Sequence, residues 1–170
     1  IAYINHKYGT SYTEADFKEW GLTNFPANIR EDVLFQFKNP EFMCKSRAYL
    51  WCYPTLRDWH SKGVRIFAIT RRSDNLMHHT YNQIEREFPG LFEDVFFVHP
   101  NDTKTRYLLK IGATHFIDDY DVEEGLRAKA KTWLITNEHT PYNWNMRSNT
   151  KLNQALALRY VKLDDSKWKS

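Results

Sequence analysis

The chain has 170 residues, a length that suits one domain with a small insertion. Its 24 lysines and arginines against 21 aspartates and glutamates give a net charge of +3. This charge is too small to indicate a protein that binds polymeric nucleic acid, because such proteins usually have a concentrated basic face. No window is long and apolar enough to span a membrane, so we expect no membrane partner.

Short helices are predicted for the first third of the chain, over residues 1–8, 13–20, 28–38 and 47–61. Gly9 follows the first of them as a typical helix stop, and Thr13 is the expected N-cap of the second. The spacing of Ile29, Val33 and Phe37 predicts one buried face on the third helix.

The two cysteines predict the compartment. Cys44 and Cys52 are eight residues apart, which on a helix is too far for a disulfide, and neither has the spacing of a metal finger. We therefore expect two free, buried thiols in a reducing compartment, and hence a cytoplasmic protein.

From Gly63 onward, strands and helices alternate. Strands are predicted over residues 64–70, 95–98, 116–117, 132–135 and 158–161, and helices over 74–87, 103–110, 121–130 and 149–156. Such alternation predicts an α/β fold with a parallel sheet and helices on both of its faces. Ligands of such sheets bind beyond the carboxyl ends of the strands, so candidate functional residues are those that follow each strand.

Three of these positions carry polar groups suited to a phosphate. After the first strand, Thr70, Arg71 and Arg72 offer a hydroxyl, two guanidinium groups and the backbone N–H groups of a helix start, although an ordinary N-cap with surface arginines is an alternative. After the second strand, Lys104 lies in the first turn of a helix, where the macrodipole disfavours a cation. A solvated lysine beside Asp102 is the alternative there.

After the third strand, an apolar run ends in Asp118 and Asp119. Adjacent carboxylates repel each other, and oxygen ligands at a strand end suit Mg²⁺, although a solvated acidic turn is the plainer alternative. Taken in order, Thr70 would bind a phosphate oxygen, Lys104 would neutralise charge and the aspartates would hold the metal.

This ordered set resembles the haloacid dehalogenase-like (HAD) superfamily of phosphotransferases. The likeness extends over essentially the whole chain and is closest to the 5′(3′)-deoxyribonucleotidase-like branch. Residues 5–17 are similar to the segment after that branch's first strand, and residues 141–143 are similar to a loop after its fifth strand. The resemblance implies a Rossmann-like core over residues 1–9 and 46–170, with a small helical cap over residues 10–45.

The resemblance also implies the chemistry. It makes the chain a Mg²⁺-dependent phosphomonoester hydrolase, expected to be a 5′-nucleotidase that acts on (deoxy)nucleoside monophosphates through an aspartyl-phosphate. Thr70 and Lys104 would be catalytic, and both would bind substrate together with Arg71 and Arg72. Asp119 would be a direct Mg²⁺ ligand, and Asp118 would act through water. The aromatic candidates for stacking on a base are Trp20, Phe25 and Phe35, with core packing as their alternative.

The nucleophile of this family is the first Asp of an Asp-x-Asp motif at the end of a first strand. The spacing recurs at Asp119 and Asp121, but their place after Thr70 and Lys104 suits the metal motif instead. The nucleophile is therefore expected upstream of Ile1. The alternative is a non-catalytic HAD-like module that binds phosphate or a protein and lacks the nucleophile. A response-regulator-like phosphoacceptor fits less well, because its acidic pair precedes the Thr and Lys.

Overall fold

The computed structural model describes residues 1–48, 52–136 and 159–162. These residues form a mixed α/β structure of seven α-helices and five strands, with short 3-10 turns between them. The helices are α1 (Ala2–Tyr8), α2 (Ala27–Gln36), α3 (Pro40–Cys44), α4 (Cys52–Ser61), α5 (Met77–Glu87), α6 (Lys104–Lys110) and α7 (Val122–Arg127). The strands are β1 (Phe67–Thr70), β2 (Asp94–Phe97), β3 (His115–Asp118), β4 (Lys131–Thr136) and β5 (Arg159–Lys162).

The described strands form two parallel sheets. One contains β1 and β2, with Thr70 opposite Phe97. The other has the order β3-β4-β5, and Leu134 of its central strand lies opposite Asp118 on one side and Tyr160 on the other. The predicted α/β class and parallel pairing are confirmed, whereas the described residues show two small sheets where one Rossmann-like sheet was expected.

The chain divides into two compact units. One unit comprises Ile1–Leu34 and Leu108–Ser170 and contains the sheet of β3, β4 and β5. The other comprises Phe35–Tyr107 and contains β1 and β2. The division into a cap over residues 10–45 and a core over the remainder stays a prediction.

The N-terminal helices surround a small apolar core. The buried members of this core are Ile4, Leu22, Phe25, Ile29 and Val33. The prediction that Phe37 shares the buried face of α2 is wrong, because α2 ends at Gln36 and the helical period does not extend further. The Phe37 side chain is 48% exposed.

The helix expected over residues 13–20 is also wrong, since only the 3-10 turns Glu14–Asp16 and Trp20–Leu22 form there. Thr13 and Asp16 do pair, but in the opposite sense to an N-cap, whose side chain accepts from a backbone N–H. The N–H and hydroxyl of Thr13 instead donate to Asp16 Oδ2 at 2.7 and 2.9 Å. Asn24 Nδ2 and the Lys18 N–H both donate to the Asp16 carbonyl, at 2.7 and 3.0 Å. That carbonyl is the acceptor that a continuing α-helix would use four residues on.

Asn5 fixes the loop that follows α1. Its Nδ2 donates to the Tyr12 carbonyl at 2.8 Å, and its Oδ1 accepts from the Tyr12 N–H and the Thr10 hydroxyl, both at 2.9 Å. The side chain therefore pairs with the Tyr12 backbone much as a neighbouring strand would. Gly9 ends α1 in the left-handed conformation, as predicted.

Helix α7 packs closely on β3 and β4 at Gly125. A Cβ atom there would lie 2.5 Å from Phe116 Cδ1 and closer still to Thr132 Oγ1. Real carbon atoms do not approach so closely, so only glycine lets α7 reach the sheet. Val122 and Leu134 are fully buried in the same unit.

Several predictions lie outside the described residues. These are residues 49–51 of the helix expected over 47–61, the helix over 149–156 and the loop at 141–143. Residues 47–48 are described and are not helical, and α4 begins at Cys52. Cys52 is partly exposed, which contradicts a buried thiol at that position, and the Cys44 side chain is not among those described. None of the helices in the described ranges combines the length and apolar character needed to cross a membrane.

Candidate functional site

Thr70 ends β1 at the carboxyl edge of its sheet. Its carbonyl accepts from the Val98 N–H at 2.8 Å, and its Oγ1 accepts from the Arg72 N–H at 3.2 Å. The hydroxyl is thus held at the start of the loop that leads to α5. This is the position at which parallel sheets bind their ligands.

Arg71 links this loop to the next one. Its exposed guanidinium donates from Nη1 to the Asp102 carbonyl at 3.3 Å, and Asp102 lies just before α6. The loops that carry Thr70 and Lys104 therefore meet within one compact unit. This contact joins the two loops, while the convergence of the Thr70 hydroxyl and the Lys104 ammonium group stays a prediction.

Arg72 points toward α5. Its Nη1 donates to Gln83 Oε1 at 2.6 Å and to Thr80 Oγ1 at 3.3 Å, and its side chain is half-buried. Two acceptors of the protein therefore engage this guanidinium. Gln83 carries no signal in the sequence by which its part here could have been found.

Lys104 is the first residue of α6 and is only 7% exposed. The solvated lysine considered as an alternative is therefore wrong. Buried lysines are rare, and the first turn of a helix is a position where the macrodipole disfavours a cation. The neighbouring Asp102 carboxylate accepts from the Thr103 N–H at 2.8 Å and from Arg106 Nη1 at 3.1 Å.

Asp118 ends β3 and forms the turn before α7. Its Oδ1 accepts from the N–H groups of Tyr120 and Asp121 at 2.8 and 2.7 Å. Asp118 and the following Asp119 are both half-buried, and both belong to the unit that contains β3. The convergence of this pair with Thr70 and Lys104 stays a prediction.

The carboxylate oxygens of Asp118 and Asp119 are ligand atoms of the kind that Mg²⁺ prefers. Magnesium binds oxygen and commonly takes one or two carboxylates together with water and phosphate oxygens, so Asp118 and Asp119 fit it chemically. No group of three or more His, Cys, Asp or Glu side chains in the described part of the chain is arranged to hold a metal ion. The metal assignment therefore depends on these two carboxylates.

The aromatic candidates separate clearly. Phe25 is buried, with the rings of Tyr12 and Phe17 each 4.8 Å away, so it packs in the core. Phe35 is 66% exposed, while the Trp20 side chain is not among those described. The sequence interpretation missed the exposed Phe37 and Phe42 rings, which lie edge-to-face at 6.2 Å.

The chain matches no protein-family model, no curated protein and no solved structure. Its resemblance to the HAD superfamily consequently depends on the motif residues and their positions at strand and helix ends.

Proposed function

We propose that this protein is a Mg²⁺-dependent phosphomonoester hydrolase of the HAD type, a 5′-nucleotidase that acts on (deoxy)nucleoside monophosphates. The observation that carries the proposal is Lys104, a buried lysine in the first turn of α6. The loop before it contacts the loop that follows Thr70. A phosphate bound beside Lys104 would make a charge-assisted hydrogen bond with its ammonium group.

The proposed chemistry assigns one task to each group. The Thr70 hydroxyl and the N–H groups after it hold oxygens of the transferring phosphoryl group. Lys104 stabilises the charge that develops on those oxygens, and its burial makes this interaction stronger than it would be in water. The attacking carboxylate is an Asp upstream of Ile1, which forms the aspartyl-phosphate.

Magnesium would be held by Asp119 directly and by Asp118 through water. The turn holds the Asp118 carboxylate in place for this role, because its Oδ1 accepts from the N–H groups of Tyr120 and Asp121. The metal, when bound, supplies positive charge that reduces the repulsion between an anionic nucleophile and the phosphate.

We also propose that the two parallel sheets belong to one Rossmann-like sheet with helices on both faces. Among the described strands, β1 pairs only with β2, and β3 pairs only with β4. One edge of β1 and one edge of β3 are therefore each able to accept a further strand, such as one contributed by residues upstream of Ile1.

The nucleotide part of the proposal is supported by Phe35, whose exposed ring offers a face on which a base can stack. Binding of a small phosphorylated substrate, as opposed to a polymeric nucleic acid, agrees with the net charge of +3. A cytoplasmic location stays a prediction from the two cysteines.

The test is phosphate release from deoxynucleoside monophosphates by the full-length gene product in the presence of Mg²⁺. We expect Asp119→Asn to abolish release while the circular dichroism spectrum is unchanged. Glu123→Gln is the matched control, because this nearby exposed carboxylate pairs with Arg127 at 3.1 Å and should be dispensable. A folded full-length protein that hydrolyses no phosphomonoester would contradict the proposal and favour the non-catalytic module.

Lys104→Met tests the group that carries the proposal. Methionine keeps the apolar stem and removes the charge, so we expect kcat to fall by about 10²–10³, the usual effect of deleting one group that stabilises transition-state charge. Lys110→Met, at the exposed end of the same helix, is the control. Equal kcat values for both variants and the unsubstituted protein would show that Lys104 has a structural role only.

A further inference from the structure

Gln83 on α5 contacts two distant parts of the chain. Its Oε1 accepts from Arg72 Nη1 at 2.6 Å, and its Nε2 donates to the Ser46 carbonyl at 3.0 Å. An amide has a donor end and an acceptor end, so this orientation satisfies both partners at once. Gln83 therefore bridges the loop after β1 and residues 46–48, which we name the connector.

The connector has a second attachment to α5. Glu87 Oε2 accepts from the Ala48 N–H at 3.2 Å, and Glu87 Oε1 accepts from Arg47 Nη1 at 3.0 Å. Hydrogen bonds from Arg86, Arg47 and the Ala48 N–H lower the pKa of Glu87 to about 2. The carboxylate therefore stays ionised at neutral pH, and both ends of the connector remain bound to the helix.

Arg72 joins the other side of this bridge to Thr70. Its backbone N–H donates to Thr70 Oγ1 at 3.2 Å, while its guanidinium donates to Gln83 and to the buried Thr80. One residue thus contacts the Thr70 hydroxyl through its main chain and α5 through its side chain. A guanidinium used in this way fixes the path of the loop.

We propose that Arg72 is a positioning residue that holds the Thr70 loop against α5 and, through Gln83, aligns it with the connector. This assignment replaces the role in substrate binding that the sequence suggested for Arg72. It rests on the proposed function only in taking Thr70 as the phosphate-binding group, and the hydrogen-bond bridge can be tested without any activity.

The first experiment measures amide hydrogen exchange of Arg72 and Ala48 by NMR. Gln83→Leu removes both hydrogen bonds of the bridge. We expect the Arg72 amide to exchange about tenfold faster, the factor for losing one hydrogen bond to a charged partner. The Ala48 amide should exchange faster by a smaller factor, because Arg86 Nη2 still donates to the Ser46 carbonyl at 3.2 Å. Gln83→Glu keeps an acceptor for Arg72 but loses the donor to Ser46. We therefore expect Ala48 alone to exchange faster in that variant.

Glu85→Gln, an exposed change on the same helix, should leave both amides as they are. If the Arg72 amide exchanges at the unsubstituted rate in Gln83→Leu, the proposal is wrong, whatever the protein catalyses. If the Ala48 amide is unaffected in both Gln83 variants, the link to the connector is wrong.

The second experiment measures kinetics of the full-length protein. If Arg72 positions Thr70, Arg72→Gln and Gln83→Leu should each lower kcat about tenfold or more, and the double variant should lose little beyond either one. Because both variants displace the same Thr70 loop, KM and the inhibition constant of inorganic phosphate should change alike in the two, within about twofold of each other. A direct phosphate ligand would instead raise both constants in Arg72→Gln alone, which would overturn the proposal. Absence of any hydrolysis refutes the proposed function, and the exchange experiment then decides on Arg72.

Discussion

Single polar side chains determine how α1 is joined to its surroundings. Asn5 uses both ends of its amide on the backbone of Tyr12, and Asp32 of α2 receives hydrogen bonds from three side chains of α1. The three donors to Asp32 are the Tyr3 hydroxyl at 2.9 Å, Lys7 Nζ at 2.9 Å and the Tyr8 hydroxyl at 3.2 Å. Both clusters are local enough to be tested by one-atom substitutions.

Asn5→Asp exchanges the Nδ2 donor for an oxygen that faces the Tyr12 carbonyl. Because that carbonyl loses its hydrogen bond and meets a negative charge, we expect the free energy of unfolding to fall by about 1–3 kcal/mol. Urea denaturation measures this change. Asn28→Asp makes the same substitution at an exposed position in the first turn of α2, where the helix dipole tolerates an acid. Equal effects of the two substitutions would contradict the bonding of Asn5.

Asp32→Asn tests a pH dependence. The hydrogen bond from Lys7 is the main cause of the lowered pKa of Asp32 in the folded chain. A lowered folded pKa stabilises the fold above the unfolded pKa of about 4, and this stabilisation is lost as the pH falls through the folded pKa. We therefore expect Asp32→Asn to destabilise the protein at pH 7 and to have a smaller effect at pH 2.5.

Thermal unfolding of both proteins at the two pH values checks this expectation. Taking the difference between variant and unsubstituted protein removes the contribution of Glu87, whose pKa of about 2 acts in the same direction. Glu31→Gln, an exposed carboxylate on the same helix, is the control. A destabilisation of Asp32→Asn that is independent of pH would contradict the role of its charge.

At the scale of elements, the sequence predicted the strands and most helices because their signals are local. Gly9 and Gly112 mark helix ends, and both have the left-handed backbone that such ends need. The prediction of a helix over residues 13–20 was wrong because a Thr at position 13 with an Asp three residues later is compatible with a 3-10 turn as well as with a helix. The Asp16 carbonyl accepts from the Lys18 N–H and from Asn24 Nδ2, and Asn24 lies beyond the segment.

Gly125→Ala tests the packing of α7. In an exposed helix this substitution stabilises by up to about 1 kcal/mol, because alanine is the better helix former. Here the added methyl group would overlap Phe116 and Thr132, so we expect a loss of about 1–3 kcal/mol. The sign of the change in the midpoint of urea denaturation decides between the two effects. A stabilised variant would show that α7 does not lie this close to the sheet.

At the scale of the whole molecule, two compact units each have their own sheet and buried side chains. Leu134 in one unit is fully buried, as is Leu76 in the other. Position in the sequence does not reveal this division, because the first unit combines the two ends of the chain. The order of Thr70, Lys104 and the acidic pair along the chain could be recognised from the sequence. The hydrogen bond between Arg72 and Gln83 could not, because neither side chain belongs to a motif that predicts it.

The two units predict a regional response to core truncation. Leu76→Ala and Leu134→Ala should each lower the free energy of unfolding by about 2–5 kcal/mol. If each compact unit opens on its own, hydrogen exchange should accelerate most in β1 and β2 for Leu76→Ala, and in β3 and β4 for Leu134→Ala. A uniform acceleration across both sheets in either variant would show that the chain opens only as a whole.

The missing side chain at Gly125 also constrains how this protein can change over evolutionary time. A lineage that acquires alanine there must first replace both the ring at Phe116 and the hydroxyl at Thr132 with smaller groups, since atoms of both side chains occupy the space. Natural variants should therefore alter these three positions together. A library randomised at all three should recover folded clones in which a larger residue at one position is balanced by smaller residues at the others.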